Sequence, residues 1–273
     1  MFLRTLSRGA LAALLCAAAP VMPAAAAAPA TPGVTPVAAM AASLGGPIYP
    51  IRGRYLLVDA ASARLFMFED GEVVDSMRVI VGKPAAQTPT IASQIYYATL
   101  NPYWNVPADL AQTLIAPNVL KQGVGYLSER GYQVLASFDP DAPEISPRDV
   151  DWKAVAAGRE KVKVRQLPGP GNSMGEVKFG FPNGFGIFLH DTPKKELFES
   201  DERALSNGCV RLEDAPRLAR WLLGRDPSVV AAGDEPEQHV LLPKAMPIYI
   251  TYLDEPENRQ LAVAQLSFAG APR

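Results

Sequence analysis

Between Arg54 and Leu100 the chain alternates short apolar runs with turn residues. Tyr55-Leu56-Leu57-Val58 predicts one strand and Arg64 to Glu69 a second. Asp70-Gly71 then marks a hairpin turn into a third strand, Val73 to Val81, which Gly82 stops. Ile91 to Leu100, rich in Ile, Tyr and Thr, predicts a fourth, so the front of the domain is expected to be an antiparallel β-meander. The pattern then loses its period. Asn101-Pro102-Tyr103-Trp104-Asn105-Val106-Pro107 is an aromatic loop bounded by prolines. Ala108 to Ile115 predicts a short helix that Pro117 ends or restarts, and Asp151 to Ala157 predicts another helical piece. Residues from about 101 to 170 therefore read as an insertion of mixed structure over a β core.

The core pattern resumes at Glu176 to Phe179 and again at Gly186-Ile187-Phe188-Leu189-His190, a buried-type strand ending in a polar residue. Lys194 to Phe198 predicts a brief helix, and Ser206 to Leu212 a turn running into a short strand. Asp214 is placed to cap a helix with Leu218, Trp221 and Leu222 facing inward and Gly224 closing it. Pro247 to Leu253 predicts another strand and Leu261 to Phe268 a last edge strand. Strands outnumber helices and do not alternate with them as βαβ units, so the expected class is α+β and β-rich.

The ends of the chain add an address. Arg4 and Arg8 precede the apolar run Leu11 to Ala19, and Ala24-Ala25-Ala26 offers small residues for cleavage, so residues 1–28 read as a secretory signal. The run falls short of the ~20 apolar residues a membrane span needs, and no transmembrane segment is expected in the mature chain. Cys16 follows Leu14-Leu15, a poor context for lipidation. Residues 29–50 are Ala/Pro-rich and read as a linker. The core domain is expected over 51–253, with 254–273 an edge strand and tail. Formal charge is −2 over 273 residues, and about −4 without the signal. That is not the basic stripe that nucleic acid binding needs, so no nucleic acid partner is expected.

Signal removal leaves Cys209 as the single cysteine, unable to form an internal disulfide. Ser206-Asn207-Gly208-Cys209 puts it after a glycine in a tight turn, where backbone amides can converge on an oxyanion. A thiol nucleophile needs a base. His190, closing a buried strand beside a loop, is the better placed of the two histidines; His239 lies after an acidic loop and reads as surface. From the residues alone, a buried thiol and a structural histidine remain open alternatives. Gly171-Asn172-Ser173-Met174-Gly175 fits the serine pattern G-x-S-x-G. That motif needs a strand-to-helix elbow, and here a Gly/Pro loop precedes it and a strand follows. No close-spaced ligand pair suggests a metal, no carboxylate pair stands out for a glycosidase, and no cofactor is required.

His190 followed by Ser206-x-Gly208-Cys209-Val210-Arg211 resembles the catalytic signature of the L,D-transpeptidases with the YkuD-type domain. The segments Val79-Ile80-Val81-Gly82 with Gln87-Thr88-Pro89, Asn101 to Pro107, Pro168 to Asn172 and Leu189 to Pro193 look like the YcbB-type branch, and the likeness covers about residues 52–253. It implies a YkuD-type mixed β-sandwich with an inserted, partly helical cap. It also implies a periplasmic enzyme that cross-links peptidoglycan stem peptides through a cysteine acyl-enzyme. Cys209 would attack the peptide at an L-centre and expel D-alanine, with His190 handling the protons and Gly208 and Cys209 amides forming the oxyanion hole. Asn207 stands where most members have histidine; it can donate a hydrogen bond but carries no proton at neutral pH. Arg211 and Ser206 would contact substrate, and Tyr103 and Trp104 would line the capped cleft. The expected linkage is 3–3, with 1–3 as a variant. Carbapenem-type inhibitors are expected to react. The alternatives are an L,D-hydrolase or carboxypeptidase, a lipoprotein-releasing amidase on the same scaffold, and a non-catalytic wall-binding module.

Overall fold

Apolar stretches pair before they pack. In the computed structural model, which describes residues 52–230, 233 and 235–254, strands β1 (Arg54–Asp59), β2 (Arg64–Glu69) and β3 (Glu72–Gly82) run antiparallel in succession. The β2–β3 turn bends as its sequence predicts, with φ of 50° at Asp70 and 87° at Gly71, the left-handed pair a tight hairpin requires. The meander ends there. Strand β4 (Ile91–Leu100) does not continue it, because Pro84 and Pro89 in the connection rule out a tight hairpin, and the chain passes through a 3-10 turn at Pro84–Ala86. Instead β4 pairs antiparallel with β8 (Val177–Gly180) on one side and β12 (Gln238–Thr251) on the other.

With β9 (Phe188–His190), β10 (Ala204–Ser206) and β11 (Val210–Leu212), the main sheet reads β10-β3-β11-β9-β8-β4-β12-β1-β2. Because β2 also pairs with β3, hydrogen bonding returns on itself and encloses the apolar core. The pairing is mixed: β1–β12, β9–β11 and β3–β10 are parallel. β12 begins well before the predicted Pro247. Pro243 and Pro247 do not stop it; the register slips between Leu241 and Met246, the kind of irregularity at which a strand tolerates proline.

The helix Ala215–Leu223 lies on this core. The Asp214 carboxylate accepts from the Arg217 amide and Gly224 closes the end, while Leu218, Ala219, Leu222 and Leu223 are buried. Trp221 packs at the margin of the core rather than inside it, its indole N–H donating to Glu69 at 3.0 Å and its ring covered by the Arg54 guanidinium.

The insertion has its own small sheet, β5 (Trp104–Asn105), β7 (Lys163–Gln166) and β6 (Tyr132–Leu135) in that order, and its own apolar cluster including Trp104, Ile115, Tyr126, Trp152 and Val164. Each large side chain buried there contributes roughly 1.5–3 kcal/mol, so the insertion holds its shape as a subdomain. Its helical run passes through Pro117 instead of ending there. Ala108–Leu110 leads into a π-helical turn, Ala111–Ile115, and then Ala116–Gln122. The wider turn gives the proline ring room one turn upstream, where an α-helical carbonyl would clash. The predicted signal, the linker and the Leu261 to Phe268 strand lie outside the described residues.

Candidate active site

Strand pairing brings the two predicted reactive groups to one place. His190 ends β9, paired with Lys178 of β8 and, in parallel register, with Arg211 of β11. Cys209 precedes β11 by one residue, so the two-residue period puts its side chain on the face that Arg211 and His190 share, diagonal to the imidazole. Both line a cleft of about 380 Å³. Its roof comes from the insertion through Trp104, Asn105, Asp109, Leu110 and Leu114, and its floor from the β core.

His190 is 4% exposed, and its Nδ1 donates to the Asp191 carbonyl at 2.5 Å. A carbonyl only accepts, so Nδ1 carries the proton and Nε2 is the nitrogen left to take one. Burial, then the positive charge of Arg211, pulls the imidazole pKa down to about 4. The ring is therefore neutral near pH 7. The Asp191 segment is fixed in turn: its carboxylate takes Lys195 Nζ at 2.6 Å and the Glu176 amide at 3.0 Å, and Lys195 also donates to the Glu213 carbonyl.

Burial pushes the half-buried Cys209 thiol up, against the smaller opposing pull of the Phe188 amide and Arg211. At rest the thiol faces the Gly186 carbonyl at 3.9 Å rather than the imidazole. A neutral thiol beside a neutral imidazole can transfer its proton during attack, not before it. Arg211 is half-buried, and its guanidinium has no ion pair or hydrogen bond among the described residues.

The turn before Cys209 corrects one expectation. Gly208 has φ +114°, and a Cβ there would lie 3.0 Å from Ile187 Cδ1, so only glycine fits. Its amide, however, donates to Ser206 Oγ at 3.0 Å and is not free for an oxyanion. Ser206 is 2% exposed at the edge of the cleft, and its hydroxyl also donates to the Cys209 carbonyl at 2.6 Å, so it clamps the turn. The amides of Asn207 and Cys209 have no backbone acceptor among the described residues, and Asn207 is exposed at the cleft.

Of the two predicted aromatics, Trp104 lines the cleft and Tyr103 does not. The Tyr103 ring instead lies under the Arg165 guanidinium 4.3 Å away. Gly171 to Gly175 is a loop, as its context indicated. Asn172 ties it down by donating to the Pro102 and Leu167 carbonyls. His239 is exposed, with Nδ1 3.1 Å from Thr99 Oγ1. No group of three or more His, Cys, Asp or Glu placed to hold a metal occurs among the described residues.

Thr88 is the residue that the search for reactive groups passed over. It is fully buried; its Oγ1 accepts from the Gly82 amide at 2.9 Å and donates to the Gly208 carbonyl at 2.8 Å, joining the end of β3 to the cysteine turn. Its only signal in the sequence was membership of Gln87-Thr88-Pro89. Thr88→Val keeps the shape and orphans both partners, each at a cost of roughly 1–3 kcal/mol. Denaturant unfolding is expected to show that loss, with Thr88→Ser restoring most of it; an unaltered midpoint in Thr88→Val would refute the staple.

A thiol and an imidazole on neighbouring strands, at the floor of a cleft roofed by an insertion, form an arrangement suited to acyl transfer. The chain belongs to the YkuD family of L,D-transpeptidase catalytic domains, whose profile matches residues 53–234. A Haemophilus influenzae protein provisionally named an L,D-transpeptidase is 34% identical over 168 residues, 62% of this chain and 33% of its own length. The chain thus spans about a third of that curated relative. Among solved structures, an L,D-transpeptidase from Mycobacterium smegmatis matches at 15% identity, over 72% of this chain and 58% of its own, with a TM-score of 0.35. The catalytic domain of the Enterococcus faecium L,D-transpeptidase, acylated by ertapenem, matches at 11% identity, over 71% of this chain and 99% of its own, with a TM-score of 0.31.

Proposed function

We propose that the protein is an L,D-transpeptidase that acts on peptidoglycan stem peptides outside the cytoplasmic membrane, as a member of the YcbB-type branch. The observation that carries this reading is the placement of Cys209 and His190 on one face of adjoining strands in the capped cleft. Cys209 attacks the carbonyl of an L-centre residue in the donor stem as its proton passes to His190 Nε2. The C–N bond to terminal D-alanine breaks, the proton goes to the departing amine, and a thioester remains on Cys209. An amine of a second stem then forms the new C–N bond as the C–S bond breaks, mostly giving a 3–3 link. The amides of Asn207 and Cys209, without a backbone acceptor among the described residues, take the oxyanion in place of the engaged Gly208 amide, with the Asn207 side chain at hand. Arg211, with no partner among the described residues, holds a substrate carboxylate. In the same reading, residues 1–28 are an export signal, 29–50 a linker and about 101–170 the cap. No helix among the described residues is long and apolar enough to cross a membrane.

Purified protein incubated with disaccharide-tetrapeptides is expected to give dimers lacking one D-alanine, read by mass spectrometry, and a carbapenem is expected to leave a mass adduct on Cys209. Tripeptide monomers without dimers would replace transfer by hydrolysis. Unchanged substrate with no adduct would leave only wall binding.

A further inference from the structure

The charges lining the cleft are not symmetric. The floor and the loop beside it contribute Arg211, Lys194 and the neutral His190; the roof contributes Asp109, the one carboxylate among the described lining residues. None of the side chains of Asp109, Lys194 and Arg211 has an ion pair or side-chain hydrogen bond among the described residues; at Asp109 only the backbone carbonyl is engaged, by the Thr113 hydroxyl. Asp109 stands next to Leu110 at the entry to the π-helical turn and lines the same cleft as the cysteine turn. Unpaired charges of opposite sign on facing walls suit a ligand that carries both signs, with its cationic end toward the roof.

We propose that Asp109 is a specificity-determining residue that receives the ammonium of the acceptor, a primary amine on a second stem peptide. This rests on the reading above, in which a thioester on Cys209 awaits an amine. The acceptor enters as an ammonium ion and gives up one proton to solvent before it attacks. The neutral amine then forms a C–N bond to the thioester carbonyl, the C–S bond breaks, and the amine's second proton reaches Sγ by way of His190 Nε2. Asp109 raises the local concentration of the amine over water, which competes for the same thioester without needing a carboxylate. It therefore sets the ratio of cross-linking to hydrolysis. As a carboxylate in the first turn, at the positive end of the helix dipole, Asp109 would also favour its helix, but that role alone would change stability and leave the ratio untouched.

The test measures dimer and tripeptide products of Asp109→Asn, Asp109→Glu, Asp109→Lys and wild-type protein on disaccharide-tetrapeptide, beside carbapenem adduct formation on wild-type Cys209. The expected result is a fall of about tenfold in the dimer-to-tripeptide ratio for Asp109→Asn, with Asp109→Glu keeping most of the wild-type ratio and Asp109→Lys lower still. An unchanged ratio in Asp109→Asn and Asp109→Lys overturns the assignment while the nucleophile stands. Wild-type protein that forms no adduct on Cys209 overturns the underlying reading, and this one with it.

Discussion

Cys209→Ser is expected to abolish turnover, by roughly 10³–10⁶-fold, while the fold persists. The size follows from the resting state of the pair. With the imidazole held at a pKa of about 4, His190 is a weak base. A thiol can be drawn into attack by such a base because sulfur is intrinsically nucleophilic and its proton comes off far more readily than that of an alcohol. The serine hydroxyl offers neither advantage. The charge of Arg211 and the Phe188 amide, which favour the thiolate of Cys209, are also too little to ionise an alcohol. Stability should scarcely change. The sulfur is half-buried, and its polar contacts, the 3.9 Å approach to the Gly186 carbonyl and the Phe188 amide, are ones a hydroxyl can also make, so the change should stay within about 0.5 kcal/mol. Product formation and unfolding midpoints of the same preparation check both halves. Retained cross-linking by Cys209→Ser would remove the nucleophile assignment.

What the sequence disclosed depended on how far each signal reached along the chain. Residue types that carry chemistry, at strand ends or after glycine, were readable: Cys209 and His190 meet in one cleft, and Trp104 lines it. Tyr103 does not line the cleft because a loop reading does not say which of two adjacent aromatics faces inward; here Tyr103 packs under the Arg165 guanidinium while Trp104 pairs with β7. Gly208 and Ser206 were legible as a turn, but the direction of each polar group was not. One hydroxyl, satisfying both the Gly208 amide and the Cys209 carbonyl, redistributes the oxyanion donors. Thr88 was invisible as a site residue because its partner Gly208 lies far along the chain, and a buried threonine looks like any strand-edge residue. The fold followed the same division. β1 to β3 are local hairpins written in turn residues, whereas the place of β4 between β8 and β12 is a long-range choice among apolar strands of similar composition.

His190→Ala is expected to slow acylation of Cys209 by roughly 10²–10⁴-fold, the range for loss of a positioned base. The pH dependence distinguishes this site from one with an ordinary histidine. An unperturbed imidazole gains its proton near 6.5, which would place the acid limb of the rate close to neutrality. Here burial first, and Arg211 second, hold the ring neutral down to about pH 4. Acylation by a carbapenem should therefore keep its rate as pH falls through 6 and lose it only toward 4. The same shift acts on stability. The unfolded chain binds the proton near 6.5 and the folded chain only near 4. The contribution of His190 is thus fully present above about 6.5 and is lost as pH falls toward 4, on the order of 3 kcal/mol. In His190→Ala the slope of unfolding free energy against pH should flatten over that interval. A rate that drops with a midpoint near 6.5 in the wild-type protein would mean the imidazole is solvated and its charge unopposed by Arg211. Neutral imidazole would then still be the working base above that midpoint, but burial and Arg211 would no longer set its basicity, and the tolerance of acid predicted for this cleft would be lost.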